Sequence, residues 1–358
     1  MIELTVAEIA EIVGGTLSDI DPVTAAATRV TGTVEFDSRA VTAGGLFLAL
    51  PGARVDGHDH AAPAIAAGAV AVLAARPVGV PAVIAAPVTG ESRSGALEHD
   101  RESAGAAVLA ALALLAAEVA RRLAGRGLRI IGVTGSSGKT STKDLLAAVL
   151  APLGSVVAPP GSFNNELGHP WTVLRATTDT DFLVLELSAR HPGNIAALAD
   201  IARPDIGVVL NVGTAHLGEF GSRQAIAETK GELAAAVPPG GAVVLNVDDP
   251  AVAAMAERAV ARVVRVSRSA RADADLWASD VVLDELARPR FTLRRADAPP
   301  VEVTLAVHGD HQVSNALCAA AVAFECGATG EQLATALAAA GPASARRMQV
   351  STRSDGVT

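Results

Sequence analysis

The chain has 358 residues, a formal net charge of −9 at pH 7 and a hydrophobic content of 50%. Its mean hydropathy is +0.37 and only 19% of its residues are charged, a composition that excludes intrinsic disorder. The acidic balance also excludes a broad basic surface for nucleic acid or anionic lipid. Two cysteines, Cys318 and Cys326, are too few for a disulfide framework and favour a reduced, cytoplasmic setting.

Residues 1–86 alternate short apolar runs with turns of small residues, a pattern that predicts a small α/β domain. Within it, 46–50 and 69–73 are predicted as strands and 61–68 as a helix. The N-terminus has no basic segment before an apolar run, so no signal peptide is predicted. Residues 87–105 are polar, charged and glycine-containing, and they predict a linker or an insertion.

From residue 106 to residue 342, apolar strands alternate with helices. The strands are predicted at 129–134, 182–188, 206–212, 242–247 and 263–266, and the helices at 140–150, 194–201, 224–237, 312–324 and 331–340. This alternation predicts a mostly parallel sheet covered on both faces. A hairpin at 291–295 and 301–307 is predicted beside it. The apolar run 105–117 is too short to span a bilayer and predicts a buried helix.

The clearest motif is a glycine-containing loop between the strand at 129–134 and the next helix. It reads Gly135-Ser-Ser-Gly-Lys139-Thr140, and such a loop lets the backbone amides around Ser136 and Ser137 face one anion beside the helix start. Lys139 supplies a point charge for the β and γ phosphates, and the Thr140 hydroxyl suits Mg²⁺. The strict motif has glycine where Val133 stands. The alternative is a turn that only links a strand to a helix.

Three of the 29 basic residues are lysines, namely Lys139, Lys143 and Lys230. A general bias toward arginine explains most of this scarcity, but a lysine that remains is a candidate for chemistry that a guanidinium cannot perform. Lys143 is predicted at the surface of the helix after the loop. Lys230 lies on a later helix and fits either a solvated helix face or a functional site.

Two further candidates follow predicted strands. Glu186 ends an apolar strand, so we expect it near the phosphate loop and able to bind Mg²⁺; the alternative is an ion pair with Arg190. His216 lies just past another strand end and is either a ligand or a structural histidine. The sequence His58-Asp59-His60 predicts polar substrate contacts rather than a metal site.

These residues resemble the Mur ligases, ATP-dependent amide-bond-forming enzymes of peptidoglycan precursor synthesis, over essentially the whole chain. The likeness rests on 134–140, 163–168 with Pro170, 186–193 and Asp37-Ser38-Arg39. It implies a uridine-diphosphate-binding domain at 1–86 and a central ATP-binding domain at 106–342. It also implies ATP and Mg²⁺ as cofactors, UDP-N-acetylmuramoyl-tripeptide and D-alanyl-D-alanine as substrates, and an acyl phosphate intermediate.

The resemblance further implies roles for individual residues, in four groups. ATP would contact Gly135, Ser136, Ser137, Gly138, Lys139, Thr140, Ser141, Asp248 and Asn315. The UDP-linked substrate would contact Asp37, Ser38, Arg39, Asn164, Asn165 and Ser188. Magnesium would be held by Thr140, Glu186, His216 and Lys230, the last of these carbamylated, and the catalytic residues would be Lys139, Lys230 and His216.

Two other functions remain open from the sequence: the preceding Mur ligase, which adds the third amino acid, and a phosphate-loop protein without ligase activity. The family carries a third domain for the incoming amine, and Arg346 or Arg347 resembles the residue at its entrance. We expect residues 343–358 to be the start of that domain and the chain to turn over poorly. We also expect a cytoplasmic monomer without stable membrane insertion or a nucleic-acid partner.

Overall fold

A computed structural model describes residues 1–52, 55–88, 100, 103–214, 217–271, 273–296, 298–341 and 344. The chain divides into two compact units. The N-terminal unit comprises Met1–Gly127 with Asn165–Asp179, and the central unit comprises Leu128–Asn164 with Thr180–Thr358. This division differs from the predicted boundary at 87–105, because the helix that follows that segment packs in the N-terminal unit.

The strands of the described residues form three sheets. In chain order they are β1 (Leu4–Thr5), β2 (Thr16–Ser18), β3 (Arg29–Val30), β4 (Val34–Glu35), β5 (Gly45–Leu48), β6 (Ala69–Ala74), β7 (Ala82–Ile84), β8 (Arg129–Thr134), β9 (Val156–Val157), β10 (Phe182–Glu186), β11 (Ile206–Val209), β12 (Ala242–Asn246), β13 (Arg262–Ser267), β14 (Leu276–Leu283), β15 (Pro289–Arg295) and β16 (Ala298–Thr304).

The α-helices of the described residues alternate with these strands along the chain. In chain order they are α1 (Val6–Ile12), α2 (Pro22–Ala27), α3 (Ala61–Ala66), α4 (Ala104–Ala124), α5 (Lys139–Leu150), α6 (Gly168–Val173), α7 (Asn194–Ile201), α8 (Leu217–Phe220), α9 (Arg223–Ala236), α10 (Pro250–Ala253), α11 (Gln312–Glu325) and α12 (Gly330–Ala339). Short 3₁₀ helices lie at Gly57–His60 and Ala254–Arg258.

The central unit is built on one sheet whose described strands lie in the order β16-β15-β14-β13-β12-β11-β8-β10-β9. Every neighbouring pair from β14 to β9 in this order is parallel, including both pairings of β8. Strand β15 pairs antiparallel with β14 and with β16. The predicted mostly parallel α/β sheet is therefore confirmed. The sequence did not predict β14, whose apolar residues are interrupted by Ser279 and Asp280 and whose second half is mostly exposed. The predicted hairpin is consequently a three-stranded antiparallel extension.

The N-terminal unit carries a smaller sheet in the order β2-β7-β6-β5-β4, in which only the β2–β7 pairing is antiparallel. Helix α4 is long and apolar enough to cross a membrane by length and composition alone. However, 56% of its most apolar window is buried inside the protein. Leu112, Leu115 and Val119 are fully buried. The prediction of a buried helix in this region is confirmed, whereas the prediction that it is too short to span a bilayer is wrong, because the helix continues to Ala124.

Candidate nucleotide site

The loop between β8 and α5 has the geometry of a phosphate loop. Gly138 has a φ of +82°, a left-handed conformation that favours glycine. A Cβ atom at this position would also lie 2.8 Å from Asn315 Oδ1, so the Asn315 side chain on α11 would have to shift. The Lys139 ammonium donates a hydrogen bond to the Gly135 carbonyl at 2.7 Å. The lysine thus folds back over the loop that it follows.

Asn211, just after β11, holds this loop in shape. Its carbonyl accepts from the Ser136 amide at 3.1 Å, and its side-chain oxygen accepts from the Ser137 amide at 3.0 Å. Its side-chain nitrogen donates to the Ser137 carbonyl at 3.2 Å, and the Gly213 amide donates to Ser136 Oγ at 2.8 Å. The two serine amides are therefore engaged within the protein. Helix α5 begins directly after the loop, and the positive end of its dipole favours an anion there.

A fully buried carboxylate, that of Glu186, lies beside the first turn of α5. Its Oε2 accepts from Thr140 Oγ1 at 3.4 Å, from Ser162 Oγ at 3.5 Å and from Asn164 Nδ2 at 3.2 Å. Burial raises the pKa of Glu186, while the Asn164 hydrogen bond and the charge of Lys143 act in the opposite direction.

The donor set beside the loop fits Mg²⁺. A carboxylate and a hydroxyl at a phosphate-binding helix start are oxygen ligands, and magnesium is commonly held by one or two carboxylates together with substrate phosphates. Within the described part of the chain, no group of three or more His, Cys, Asp and Glu side chains is placed to hold a metal. The arrangement around Glu186 and Thr140 therefore suits an ion shared with a phosphate ligand rather than an all-protein metal cage.

Lys143 is buried, and its predicted surface position is wrong. Its side chain is only 4% exposed and contacts the Asp144 carboxylate. Its ammonium also donates to the Pro159 carbonyl at 2.9 Å and to Ser344 Oγ at 3.1 Å. The Asp144 carboxylate in turn accepts from the Ser344 amide at 3.1 Å. The partners that bury Lys143 are distant in sequence, so the local helical pattern did not reveal them.

Lys230 is also buried, at 7% exposure, on the inner face of α9. Burial, and to a lesser extent the positive charge of Lys139, lower its pKa to about 8. Lys230 therefore does not lie on a solvated helix face, which was one of the two positions that the sequence allowed. On the same helix, the Glu232 carboxylate accepts from the Gly193 and Ala196 amides at 2.7 and 2.9 Å, which fixes the start of α7 against α9. His216 lies outside the described residues.

A cavity of about 410 Å³ opens beside the phosphate loop. Its walls come from the loop, the ends of β11 and β12, and the start of α11, and they include Gly138, Asn211, Asn246, Gln312 and Asn315. The Asn315 amide donates to Gln312 Oε1 at 2.9 Å, which fixes one wall. Pockets of this size are typical of small-molecule sites, and most of the residues that line this one are polar.

Asp248 follows β12, but its carboxylate is used within the protein. It accepts from Ser267 Oγ at 2.6 Å and from the Arg268 amide at 2.7 Å, and so braces the end of β13. Asn246, two residues earlier, lines the cavity and donates to the Leu210 carbonyl at 3.0 Å. Strand β12 ends at Asn246, so Asp248 lies in the turn after the strand, where its carboxylate meets β13 instead of the cavity.

Of the residues predicted to contact the UDP-linked substrate, Ser188 and Asn164 lie near the Glu186 carboxylate and Asn165 lies at the start of α6. Ser188 Oγ donates to the Asn164 carbonyl at 2.8 Å, and the Asn164 side chain reaches Glu186. Asn165 belongs to the N-terminal unit, where its side-chain oxygen accepts from the Gly168 amide at 2.9 Å. Asn165 therefore accepts a hydrogen bond from the first amide of α6.

In the N-terminal unit, Asp37, Ser38 and Arg39 form the turn that follows β4. Arg39 donates to the Asp37 carboxylate at 2.9 and 2.7 Å, and these hydrogen bonds lower the pKa of Asp37 to about 2. The Arg39 side chain is 88% exposed.

His58, by contrast, is buried in the same unit. Its Nδ1–H donates to Asp56 at 2.6 Å and its Nε2 accepts from the Ala75 amide at 3.1 Å. Both ring nitrogens are therefore used within the unit, and the predicted substrate contact is not supported for His58.

Fold and site together define a class of protein. The family model for the Mur ligase middle domain matches residues 133–323, and the model for the Mur ligase family catalytic domain matches residues 32–120. The first match spans the phosphate loop, Glu186 and Lys230, and both fall on regions with the expected α/β fold. The chain belongs to the Mur ligase family.

Within that family, the chain is similar to one ligase in particular. UDP-N-acetylmuramoyl-tripeptide–D-alanyl-D-alanine ligase from Mycobacterium tuberculosis is 72% identical over all of this chain and 70% of its own length. A solved structure of MurF from Acinetobacter baumannii superposes with a TM-score of 0.81 at 28% identity and covers 98% of this chain and 71% of that one. The Thermotoga maritima MurF complex with ADP has a TM-score of 0.66 at 31% identity and covers 86% of this chain and 66% of that one.

Proposed function

We propose that this chain is an ATP-dependent ligase that joins D-alanyl-D-alanine to UDP-N-acetylmuramoyl-tripeptide in peptidoglycan precursor synthesis. The observation that carries this proposal is the 72% identity, over the whole chain, to mycobacterial ligases of that name. The phosphate loop, the buried carboxylate beside it and the adjoining cavity supply the parts that ATP-driven amide formation requires. Because these parts act by positioning and charge, the reaction belongs with other phosphoryl transfers to a carboxylate.

ATP is proposed to bind with its phosphates at the start of α5 and its nucleoside in the cavity. Lys139 and the N–H groups of the first turn would neutralise the phosphates. Asn246, Gln312 and Asn315 offer polar atoms in the cavity walls. The bound ADP in the Thermotoga maritima relative supports the use of an adenine nucleotide. For Asp248, the hydrogen bonds to Ser267 and Arg268 favour a structural role over a direct nucleotide contact.

Thr140 and Glu186 are proposed to hold Mg²⁺, which would neutralise charge on the transferring phosphoryl group. Lys230 is proposed to act as a carbamate, as the family resemblance implies. Its amine suits that modification because burial lowers its pKa to about 8, which leaves much of it neutral and nucleophilic near pH 8. His216 is proposed as a further ligand.

The UDP-linked substrate is proposed to bind the N-terminal unit at Asp37, Ser38 and Arg39. The exposed Arg39 guanidinium suits an anionic diphosphate. The free thiols Cys318 and Cys326 fit a cytoplasmic protein, and we propose that it acts there as a monomer.

Phosphate release measured with ATP, Mg²⁺ and UDP-N-acetylmuramoyl-tripeptide tests the function directly. We expect the release to depend on D-alanyl-D-alanine and not on single amino acids. In parallel, a saturating UDP-linked tripeptide should raise the melting temperature without ATP, since a ligand at about 100 times its Kd stabilises the folded state by about 2.7 kcal/mol.

The outcomes separate the three functions. Release that depends on a single amino acid identifies the preceding ligase of the family. A melting temperature that responds to ATP but not to the UDP-linked peptide identifies a phosphate-loop binding protein instead. Buffers with UDP-glucose in place of the tripeptide control for a nonspecific effect of the nucleotide-sugar.

A further inference from the structure

Ser188 connects the strand that carries Glu186 to the segment that holds Glu186 in place. It lies two residues after Glu186, and both its amide and its hydroxyl donate to the Asn164 carbonyl, at 3.1 and 2.8 Å. Two donors on one carbonyl fix the position of the Asn164 backbone. The hydroxyl proton of Ser188 is committed to this bond, so the geometry does not favour its donation to a substrate.

Asn164 connects Ser188 to the buried carboxylate of Glu186. Its side-chain Nδ2 donates to Glu186 Oε2 at 3.2 Å and to Ser162 Oγ at 3.1 Å. Ser162 in turn lies 3.3 Å from Thr140 Oγ1. One chain of hydrogen bonds therefore runs from Ser188 through Asn164 to the carboxylate and the helix start.

We propose that Ser188 is a positioning residue for the magnesium ligand Glu186, acting through Asn164 rather than contacting substrate. The inference rests on the proposed role of Glu186 in metal binding. The hydrogen bond from Asn164 occupies one carboxylate oxygen and selects the rotamer of the Glu186 side chain. Outer partners of this kind fix the direction in which a metal ligand points, and their loss commonly weakens metal binding by about 10- to 100-fold.

Ser188→Ala tests the proposal because it removes the hydroxyl and keeps the amide donor. Mn²⁺ binding to the ADP-saturated protein is measured by electron paramagnetic resonance, and the Kd for Mn²⁺ is expected to rise about 10-fold. The Kd for ADP without metal and the KM for UDP-N-acetylmuramoyl-tripeptide are expected to stay unchanged. Ser188→Thr, which keeps a hydroxyl, should restore Mn²⁺ binding.

A double-mutant cycle with Asn164→Ala tests the route. If Ser188 acts through Asn164, the double variant binds Mn²⁺ as weakly as Asn164→Ala alone, because interacting residues are not additive. Additive losses, or an unchanged Mn²⁺ affinity with a raised KM for the UDP-linked substrate, overturn the proposal. Glu186→Gln distinguishes failure of the metal role of Glu186 from failure of the positioning role of Ser188. If Glu186→Gln leaves the Mn²⁺ affinity unchanged, Glu186 does not bind the metal. If Glu186→Gln weakens Mn²⁺ binding and Ser188→Ala does not, only the role of Ser188 is contradicted.

Discussion

Lys230→Met is expected to abolish ligase turnover, with a loss of at least about 100-fold, in a protein that folds at least as well as the wild type. Methionine keeps the volume and apolar stem of the side chain and removes the amine on which the proposed carbamate forms. Steady-state phosphate release checks the activity. The exposed Gln224 on the same helix provides a matched control as Gln224→Met. Turnover retained by Lys230→Met contradicts a role for this amine in the chemistry.

In buffer depleted of carbon dioxide, we expect the effect of Lys230→Met on the free energy of unfolding to depend on pH. The folded protein lowers the pKa of Lys230 from 10.5 to about 8, so folding disfavours the protonated amine. The penalty is fully present below pH 8 and disappears as the pH rises from 8 to 10.5. Lys230→Met should therefore raise the free energy of unfolding at pH 7 by up to about 3 kcal/mol. Urea titrations at pH 7 and pH 10.5 check this, and a gain that does not shrink at the higher pH contradicts it.

Lys143→Met is expected to be the most destabilising of the lysine substitutions. It leaves the Asp144 carboxylate, whose side chain is 9% exposed, without its counter-charge, and it removes the donor to Pro159. Breaking a buried ion pair by removing one partner costs about 3–5 kcal/mol. The melting temperature of the central unit should fall by about 10 °C in differential scanning calorimetry.

A second variant separates the loss of charge from a general packing defect. Lys143→Met with Asp144→Asn removes both charges and keeps oxygen and nitrogen atoms for the contacts with Ser344. We expect it to recover at least half of the lost stability, since a buried pair replaced as a whole is often tolerated. A melting temperature that is no higher in the double variant than in Lys143→Met points to packing instead of charge.

The sequence predicted well those features that depend on local pattern. The strand at 129–134 and the helix at 194–201 have the predicted bounds, because apolar periodicity and glycine punctuation are local signals. The loop around Gly138 could also be predicted, because its glycines are a local signal. Glu186 was found because an acidic residue interrupts an otherwise apolar strand.

The features that were missed depend on partners distant in the chain. Lys143 is buried by Pro159 and Ser344, the latter 201 residues away, and no helical pattern contains that information. Asn211, which binds the amides of the phosphate loop, lies 74 residues from Ser137. Its only sequence signal is its place just after a predicted strand, where polar residues often face a ligand crevice.

The measurement that tests the central claim most directly is the affinity of Lys139→Met for ATP. Lys139 folds over the phosphate loop and would contribute a charged hydrogen bond to the phosphates, worth about 1.5–3 kcal/mol. Isothermal titration with Mg²⁺ present should therefore show a Kd for ATP raised by about 10- to 100-fold, with the circular dichroism melting curve unchanged. An unchanged Kd for ATP in the folded variant would contradict the assignment of this loop as the site that binds the nucleotide.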